Sequence, residues 1–348
     1  MAQTLVIPES TQSTNARVML GLMLIAAVCL FADLLVGTRS VETGTDTYVY
    51  AGFFHALQQQ GSVTTRFEPG FYYLSVMLAA MGMSLTAYQA TMFLLMIATV
   101  VVATRKYYHY LQSNGTYQTF FTASLLFLFI SPVMSNASIN VVRQGLASLL
   151  VFTALLSFYQ RQWRAFFLWG LLATGFHYSS VLYLVFAPVL LMRDRTQRLI
   201  AITAFLAYCS GLTMLLVRVL VPGVYAIVMT YDPTTLFRTG VRLDFAVFSL
   251  FWYLLPYVLA PLVHEPARSL IKRGTAVYLV LMLPFFAVGW GSFSNRFLLP
   301  SWLSVSLMLA AMVCNGRLSP LRDPLLVRAG LVVATAVFAF YVTHGIVL

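Results

Sequence analysis

Charged and polar side chains are scarce in this chain, and where they interrupt its apolar runs they come in short mixed groups. From the N-terminus these are Gly44-Thr45-Asp46-Thr47-Tyr48-Val49-Tyr50, Arg66-Phe67-Glu68-Pro69-Gly70-Phe71 and Asn140-Val141-Val142-Arg143-Gln144-Gly145, then Thr174-Gly175-Phe176-His177-Tyr178-Ser179 and Gly291-Ser292-Phe293-Ser294-Asn295-Arg296-Phe297. An ionisable side chain at membrane depth is costly, so its retention marks a ligand path or a reactive site. A guanidinium fork holds phosphate or carboxylate through two parallel hydrogen bonds. A carboxylate or imidazole takes a proton from a hydroxyl. Arginines on the side of the membrane that basic residues usually avoid therefore signal an anion, either a carboxylate of the fold or a ligand phosphate. Asp46, Arg66, Glu68, Arg143, His177, Arg218, Arg238, Arg242 and Arg296 fall in this class, and Arg39 and Glu42 lie close to it.

Each group also has an ordinary structural explanation. Asp46 reads as the N-cap of a following helix, and Pro69 after Glu68 as a first helical residue. Arg143 and Arg296 read as snorkelling interfacial arginines, and His177 as a satisfied packing histidine. The surroundings argue for more. Asn136, Ser138, Asn140 and Gln144 make a polar helix entrance, where free backbone N–H groups favour a phosphate. Ser292, Ser294 and Asn295 cluster beside Arg296, and capping does not explain why two acids and Arg66 flank one short segment. No DxD, HExxH, Walker loop, GxSxG or Cys/His zinc spacing occurs, and Cys29, Cys209 and Cys314 form no CxxC pair. No metal or other cofactor is therefore expected.

The elements that must position these residues follow from composition. The chain has 348 residues, 60% apolar and 9% charged, against about 25% charged in an ordinary soluble domain. Its mean hydropathy is +0.84. A water-soluble fold of this size has nowhere to hide so much apolar surface, so disordered, nucleic-acid-binding and secreted disulfide-rich classes are excluded. The net charge of +11 fits basic residues gathered in cytoplasmic loops. Only Lys106 and Lys272 are lysines among 21 basic residues, an arginine excess that suits phosphate as well as it suits a coding bias.

The sequence predicts an all-α, polytopic membrane bundle of about 11–12 transmembrane or re-entrant helices, a single integral membrane domain over 1–348. Candidate spans are 18–36, 68–84, 87–104, 118–135, 141–159, 165–176, 178–192, 199–221, 245–263, 275–291, 297–314 and 326–346. The first is too long for a signal-peptide core and is expected to be retained. Arg105-Lys106, Arg161/Arg164, Arg193/Arg195/Arg198, Arg268/Lys272/Arg273 and Arg317/Arg322/Arg328 read as cytoplasmic. Residues 165–192 are too few for two full crossings, which predicts short or broken helices meeting near Gly175-Phe176-His177. Parity then predicts that 68–84 is tilted or re-entrant. The extracytoplasmic loop 37–67 carries an amphipathic surface helix over 46–60, ended by Gly61. A second loop spans 222–244.

Taken together, Gly44-Thr45-Asp46 with Tyr50, Glu68-Pro69-Gly70-Phe71, Val142-Arg143-Gln144-Gly145-Leu146-Ala147, Phe176-His177-Tyr178-Ser179 and Asn295-Arg296 resemble the EpsG-like branch of Wzy-type polysaccharide polymerases. The motifs occur in family order across about residues 40–300. Asp46 and the breaks near His177 also look like the wider membrane glycosyltransferases that use lipid-linked sugars. The resemblance implies a metal-independent, inverting polymerase of the bacterial cytoplasmic (inner) membrane with its active site facing the periplasm or exterior. It would transfer a growing glycan from undecaprenyl diphosphate to a sugar hydroxyl of a lipid-linked repeat unit. Both substrates are partners, as is the bilayer; a separate chain-length regulator protein is expected and nucleic acid is not. On this reading Arg143 and Arg296 hold the diphosphate, with Gln144, Asn140, Arg242, Arg238 and Arg66 in support. Asp46, Glu68 and His177 compete for the base. Tyr48, Tyr50, Tyr72, Tyr178, Tyr231 and Asn295 are the sugar contacts. Two rival functions use similar residues: a polyprenyl-phosphate-sugar glycosyltransferase or O-antigen ligase, and a flippase or transporter for the lipid-linked oligosaccharide. A ligase is expected to carry a larger late loop than 222–244, and a transporter two related halves.

Overall fold

The computed structural model describes residues 11–113, 115–229 and 239–346. Tyr231 and Arg238 therefore lie outside the described residues. The chain folds into helices α1 (Thr11–Gly37), α2 (Thr47–Gln60), α3 (Pro69–Ala80), α4 (Leu85–Leu111), α5 (Tyr117–Ile130), α6 (Pro132–Ile139), α7 (Val142–Tyr159) and α8 (Trp163–Phe176). The second half adds α9 (Ser180–Val185), α10 (Asp194–Cys209), α11 (Leu212–Leu220), α12 (Pro222–Met229), α13 (Leu243–Leu259), α14 (Ala267–Val288), α15 (Leu299–Cys314) and α16 (Pro324–Thr343). Short 3-10 turns at Ala187–Leu191 and Ser294–Leu298 extend α9 and lead into α15.

Among the described residues seven helical segments are long and apolar enough to cross a membrane: Asn15–Gly37, Leu85–Leu111, Val142–Tyr159, Leu243–Leu262, Ala267–Val288, Ser294–Cys314 and Pro324–Thr343. The chain is a multi-pass membrane protein. A backbone inside hydrocarbon must satisfy its own hydrogen bonds, which is why the spans are helices. Helix α7, the Ser294–Cys314 run and α14 are 83%, 83% and 78% buried, whereas α1 is 22% buried, so the former make the core and α1 lies outside. Apolar residues all round a helix are what a central position requires.

Two spans expected to be continuous are broken. The run 118–135 ends at Ile130, and α6 departs from α5 at 80°. Pro132 has no N–H to continue the helix, and the Ser131 hydroxyl accepts from Val133 N at 3.3 Å to start the new one. The connection assigned to 136–143 is thus the second half of α6, the pair Asn140-Val141 and the start of α7. The run 199–221 bends by 82° between α10 and α11, where Gly211 sits at φ +76°. The loop 222–244 likewise contains a helix, α12. Its Pro222 start is compatible with helical φ, which loop polarity alone does not reveal.

Further helices fall where the sequence places them. Helices α8 and α9 are short and meet at His177. Helix α2 runs to Gly61 and buries Tyr50, Phe53, Phe54 and Leu57 along one face. Helix α3 rises only about 18 Å at 1.5 Å per residue, short of the ~30 Å hydrocarbon core. The basic loops gather at one end of the bundle. There Lys106 donates to Gln162, Ser113 to Asn315 at 3.0 Å, and Asp194 and Arg273 flank Tyr159. The mixed polar groups gather at the other end.

The bend at Gly211 supplies a test. A Cβ there meets nothing within 4 Å, so Gly211→Ala is penalised only through its left-handed backbone, by roughly 1–2 kcal/mol. A thermal unfolding midpoint in detergent a few degrees below that of the native chain is expected; an unchanged midpoint would show that the bend does not depend on this residue.

Candidate active site

Glu68 is the most enclosed charge in this region, 3% exposed. It occupies the N-cap position of α3, yet its carboxylate caps nothing. Instead Arg143 donates to Oε2, His177 Nδ1 lies 2.8 Å from Oε1, and Tyr178 N donates to Oε1 at 3.2 Å. Arg143 stands in the first turn of α7, with its guanidinium carbon 4.4 Å from the centre of the Phe67 ring. Burial pushes the Glu68 carboxyl up, but the hydrogen bond from His177 and the Arg143 charge outweigh it and hold the group down at about 2.

The loop behind this triad is fixed by a backbone contact. A Cβ on Gly70 would fall 2.7 Å from the Gly175 carbonyl oxygen. The start of α3 and the end of α8 therefore touch main chain to main chain, which brings Glu68 to His177.

Asp46 and Arg296 form a second couple, Nη2 to Oδ2 at 3.1 Å. Asp46 also occupies an N-cap position, that of α2, without making a capping bond, so capping is not its role. Asn140 holds the loop in place: its Oδ1 accepts from Thr45 Oγ1 at 2.7 Å and from Asp46 N at 2.8 Å. Its Nδ2 donates to Asn136 at 3.2 Å. The Thr47 hydroxyl donates to the Ile139 carbonyl at 2.7 Å. Gln144 donates to the Arg296 carbonyl, and Arg296 lies 4.3 Å from the centre of the Phe293 ring.

Two cavities adjoin at Arg296 and Phe293. The outer one, about 540 Å³, is lined by Asp46, Tyr48, Tyr50, Arg66, Phe67 and Arg143 among others. The inner one, about 230 Å³, is lined by Gln144, His177, Ser179, Val228 and Ser292. Around them the Ser179 and Ser294 hydroxyls and Arg143 Nε are buried without a hydrogen-bond partner among the described residues. Buried polar atoms are rarely left so, and a polar ligand would satisfy them.

The remaining predicted residues divide. Tyr48 is exposed at the outer cavity, and Tyr50 lines it while packing on Phe67 and Phe71 with ring centres 6.0 and 5.7 Å away. Burial pushes the Tyr50 phenol up. Tyr178 is exposed beside His177, and Asn295 lies in the turn that carries Arg296. Tyr72 packs on Phe53 and Tyr73 and lines neither cavity. Arg242 pairs with Asp244 through Nη2 to Oδ2 at 2.6 Å and stacks on Phe245; it lines neither cavity. Phe67, Phe293 and Ser179 were given no role by sequence reasoning, although each stands beside a flagged charge; Ser294 was noted only as part of the polar cluster beside Arg296. Among the described residues, no cluster of three or more His, Cys, Asp or Glu side chains is arranged to hold a metal ion.

An all-helical membrane protein with paired acids and arginines around two adjoining cavities is the class this site defines. The profile of the EpsG family matches residues 22–346, and the chain belongs to that family of polysaccharide-polymerase-like membrane proteins. Comparison with curated proteins returns no match, and comparison with solved structures returns none.

Two outcomes follow. Gly70→Ala drives its methyl into the Gly175 carbonyl, whereas a Cβ on Gly175 meets Gly70 only at 3.8 Å. Gly70→Ala is therefore expected to abolish the Glu68–His177 contact and Gly175→Ala to be tolerated, as read by the pH dependence of thermal stability. That dependence has a definite sign. A carboxyl lowered from 4.5 to about 2 on folding contributes, on the order of 3 kcal/mol, above the unfolded pKa. The contribution is lost as pH falls from about 4.5 toward 2, and Glu68→Gln should flatten the loss.

Proposed function

We propose that this protein is a polysaccharide polymerase of the bacterial cytoplasmic membrane. It moves a growing glycan from a polyprenyl diphosphate to a sugar hydroxyl of a second lipid-linked repeat unit at the extracytoplasmic face. One observation carries the reading: Arg143 and Arg296 line the same outer cavity, held by Glu68 and Asp46 respectively. Family membership supports the polymerase class, and the gathering of the basic loops at the opposite end supports the orientation.

The chemistry is a direct displacement at the anomeric carbon. The bond from that carbon to the diphosphate oxygen breaks as the bond to the acceptor oxygen forms, with inversion. Negative charge developing on the diphosphate is taken up by the guanidinium groups of Arg143 and Arg296. The acceptor proton passes to a carboxylate. Glu68 is the poorer base, since both oxygens are engaged and its carboxyl is held at about 2. Asp46, about a third exposed at 32%, is the better placed. Glu68 and His177 then position Arg143 and the acceptor side of the cavity. Tyr48 and Tyr178 offer ring faces to sugar. Asn140 positions the Asp46 loop rather than touching phosphate.

The test is reconstitution of the full chain in nanodiscs with a lipid-linked repeat unit, in the presence of EDTA. A product ladder spaced by one repeat unit is expected. Asp46→Asn should slow it by about 10²–10⁴-fold, the usual weight of a general base. Arg143→Lys and Arg296→Lys should each slow it at least tenfold, because the fork is lost while the charge stays. Native ladders from both lysine variants would overturn the diphosphate assignment. Absence of any ladder, with the lipid-linked unit crossing the bilayer of liposomes instead, would make the protein a transporter.

A further inference from the structure

The inner cavity, about 230 Å³, is lined by polar atoms that the fold itself does not use. Ser179 occupies the N-cap position of α9, yet its side chain makes no capping bond. Its hydroxyl is buried and has no hydrogen-bond partner among the described residues. Ser180, the next residue, donates to the Ala173 carbonyl at 3.1 Å, so the break between α8 and α9 is closed without Ser179. His177 is half used. Its Nδ1 lies 2.8 Å from Glu68 Oε1, and Glu68, held at about 2, is a carboxylate that only accepts. Nδ1 therefore carries the proton. Nε2, which makes no hydrogen bond among the described residues, is the remaining polar atom of a ring that lines the cavity, an acceptor in neutral imidazole.

The rest of the lining suits a neutral ligand. Arg296 supplies the guanidinium of this cavity and is already paired with Asp46 at 3.1 Å. Ile227, Val228, Phe293 and Phe297 supply apolar walls. A hydroxyl and an imidazole nitrogen set between such walls match a pyranose, which has C–H faces and hydroxyls at its rim. A cavity of about 150 Å³ holds one benzene ring, so the inner cavity takes one substituted six-membered ring and not two. In the proposed reaction the donor's first sugar is linked at both ends, to the diphosphate and to the rest of the glycan. The acceptor's terminal sugar is linked at one end only, which is what a one-ring space accommodates. Its place is right as well. Arg296 and Phe293 line both cavities, and Asp46, the proposed base, is bonded to Arg296 from the outer side.

We infer that the inner cavity is the acceptor subsite, where Ser179 Oγ and His177 Nε2 hold the terminal pyranose of the acceptor unit with a hydroxyl at the junction beside Asp46. The inference rests on the function proposed above and gives its second substrate a place and a chemistry. The donor sugar is the competing occupant.

The experiment uses the full chain in nanodiscs. The oligosaccharide is released by mild acid from the lipid-linked repeat unit of the protein's own host and tagged at its reducing end with 2-aminobenzamide. The tagged probe keeps its terminal sugar and can accept but not donate. Binding is read by fluorescence anisotropy, and extension by chromatography with the lipid-linked unit as donor. Ser179→Ala is expected to weaken binding of the probe about 2- to 10-fold, the weight of one hydrogen bond. The KM for the probe should rise by the same factor and the KM for the donor should not. Ser179→Leu, which fills the space, should weaken binding at least tenfold; the alanine variant decides the matter if the leucine variant fails to fold. Because the hydroxyl is unpaired in the fold, Ser179→Ala should also leave the thermal midpoint without substrate unchanged or higher, where loss of a structural serine would lower it. No binding by the native chain, native affinity in Ser179→Ala or a lowered midpoint overturns the inference. A rise confined to the donor KM overturns it too and gives the cavity to the donor sugar. Failure of the two readings is separable. Ser179-dependent binding of the probe without extension removes the polymerase and leaves the sugar site. Extension with native KM values in both variants removes the subsite and leaves the polymerase.

Discussion

A carboxylate withdrawn from water must be matched group by group, and Glu68 meets that demand only when three other pieces of chain arrive beside it. Desolvating one ion costs several kcal/mol, and removing one partner of such a buried pair costs about 3–5 kcal/mol. Arg143 comes from the start of a core helix, and His177 and Tyr178 N from the break between two short ones. The acid therefore does more than pair. It sets where α3 begins, how α8 ends and which way the first turn of α7 faces. The glycine contact between residues 70 and 175 allows the approach, and the charges make it worth holding.

The second couple is softer and differently placed. Asp46 and Arg296 are each about a third exposed, so solvent screens their attraction and the pair contributes little to stability. Its position is secured from elsewhere, through Asn140 to the Asp46 loop and Gln144 to the Arg296 carbonyl. On the proposed function, rigid backbone and a lightly held ion pair suit a site that must exchange partners. One end of the polar region is held by the buried Glu68 pair, and the other by a more exposed one.

Much of this was legible in the sequence because ionisable residues inside apolar runs have few reasons to be there. Asp46, Glu68, Arg143, His177 and Arg296 were each flagged by type and context, and the structure brings them to one end of the bundle. The break at His177 followed from counting residues between basic loops. What stayed hidden was direction. A hydropathy run carries length but not angle, so the turns after Ile130 and Cys209 were invisible inside stretches that are apolar on both sides. Pro132 and Gly211 were the available signs. Long-range partners were equally hidden: Asp244, two residues on, was a local sign that Arg242 is neutralised within its own turn, but nothing local shows that the acid of Arg296 lies 250 positions distant. Local motifs misled in one further way. Asp46-Thr47 and Glu68-Pro69 have the composition of helix starts, and helices do start there, but both carboxylates turn away from the helix ends toward arginines.

That diversion bears on how the proposed reaction is ordered. A capping bond contributes about 1 kcal/mol, and α2 and α3 each forgo one so that an acid can face a guanidinium. The arginines are thereby neutralised by acids of the fold, which lowers the cost of burying them. On the proposed function, a diphosphate, which carries more charge than a carboxylate and offers more oxygens to a fork, competes for Arg296 with Asp46 as the opponent, at the exposed pair where competition costs least. Arg143 stays tied to the buried Glu68 and gives the ligand a fixed point. On the proposed function, displacement of Asp46 from Arg296 frees a carboxylate at the cavity wall just when a donor has arrived. The base then becomes available only in the loaded site, and the difference in burial between Glu68 and Asp46 decides which acid is released.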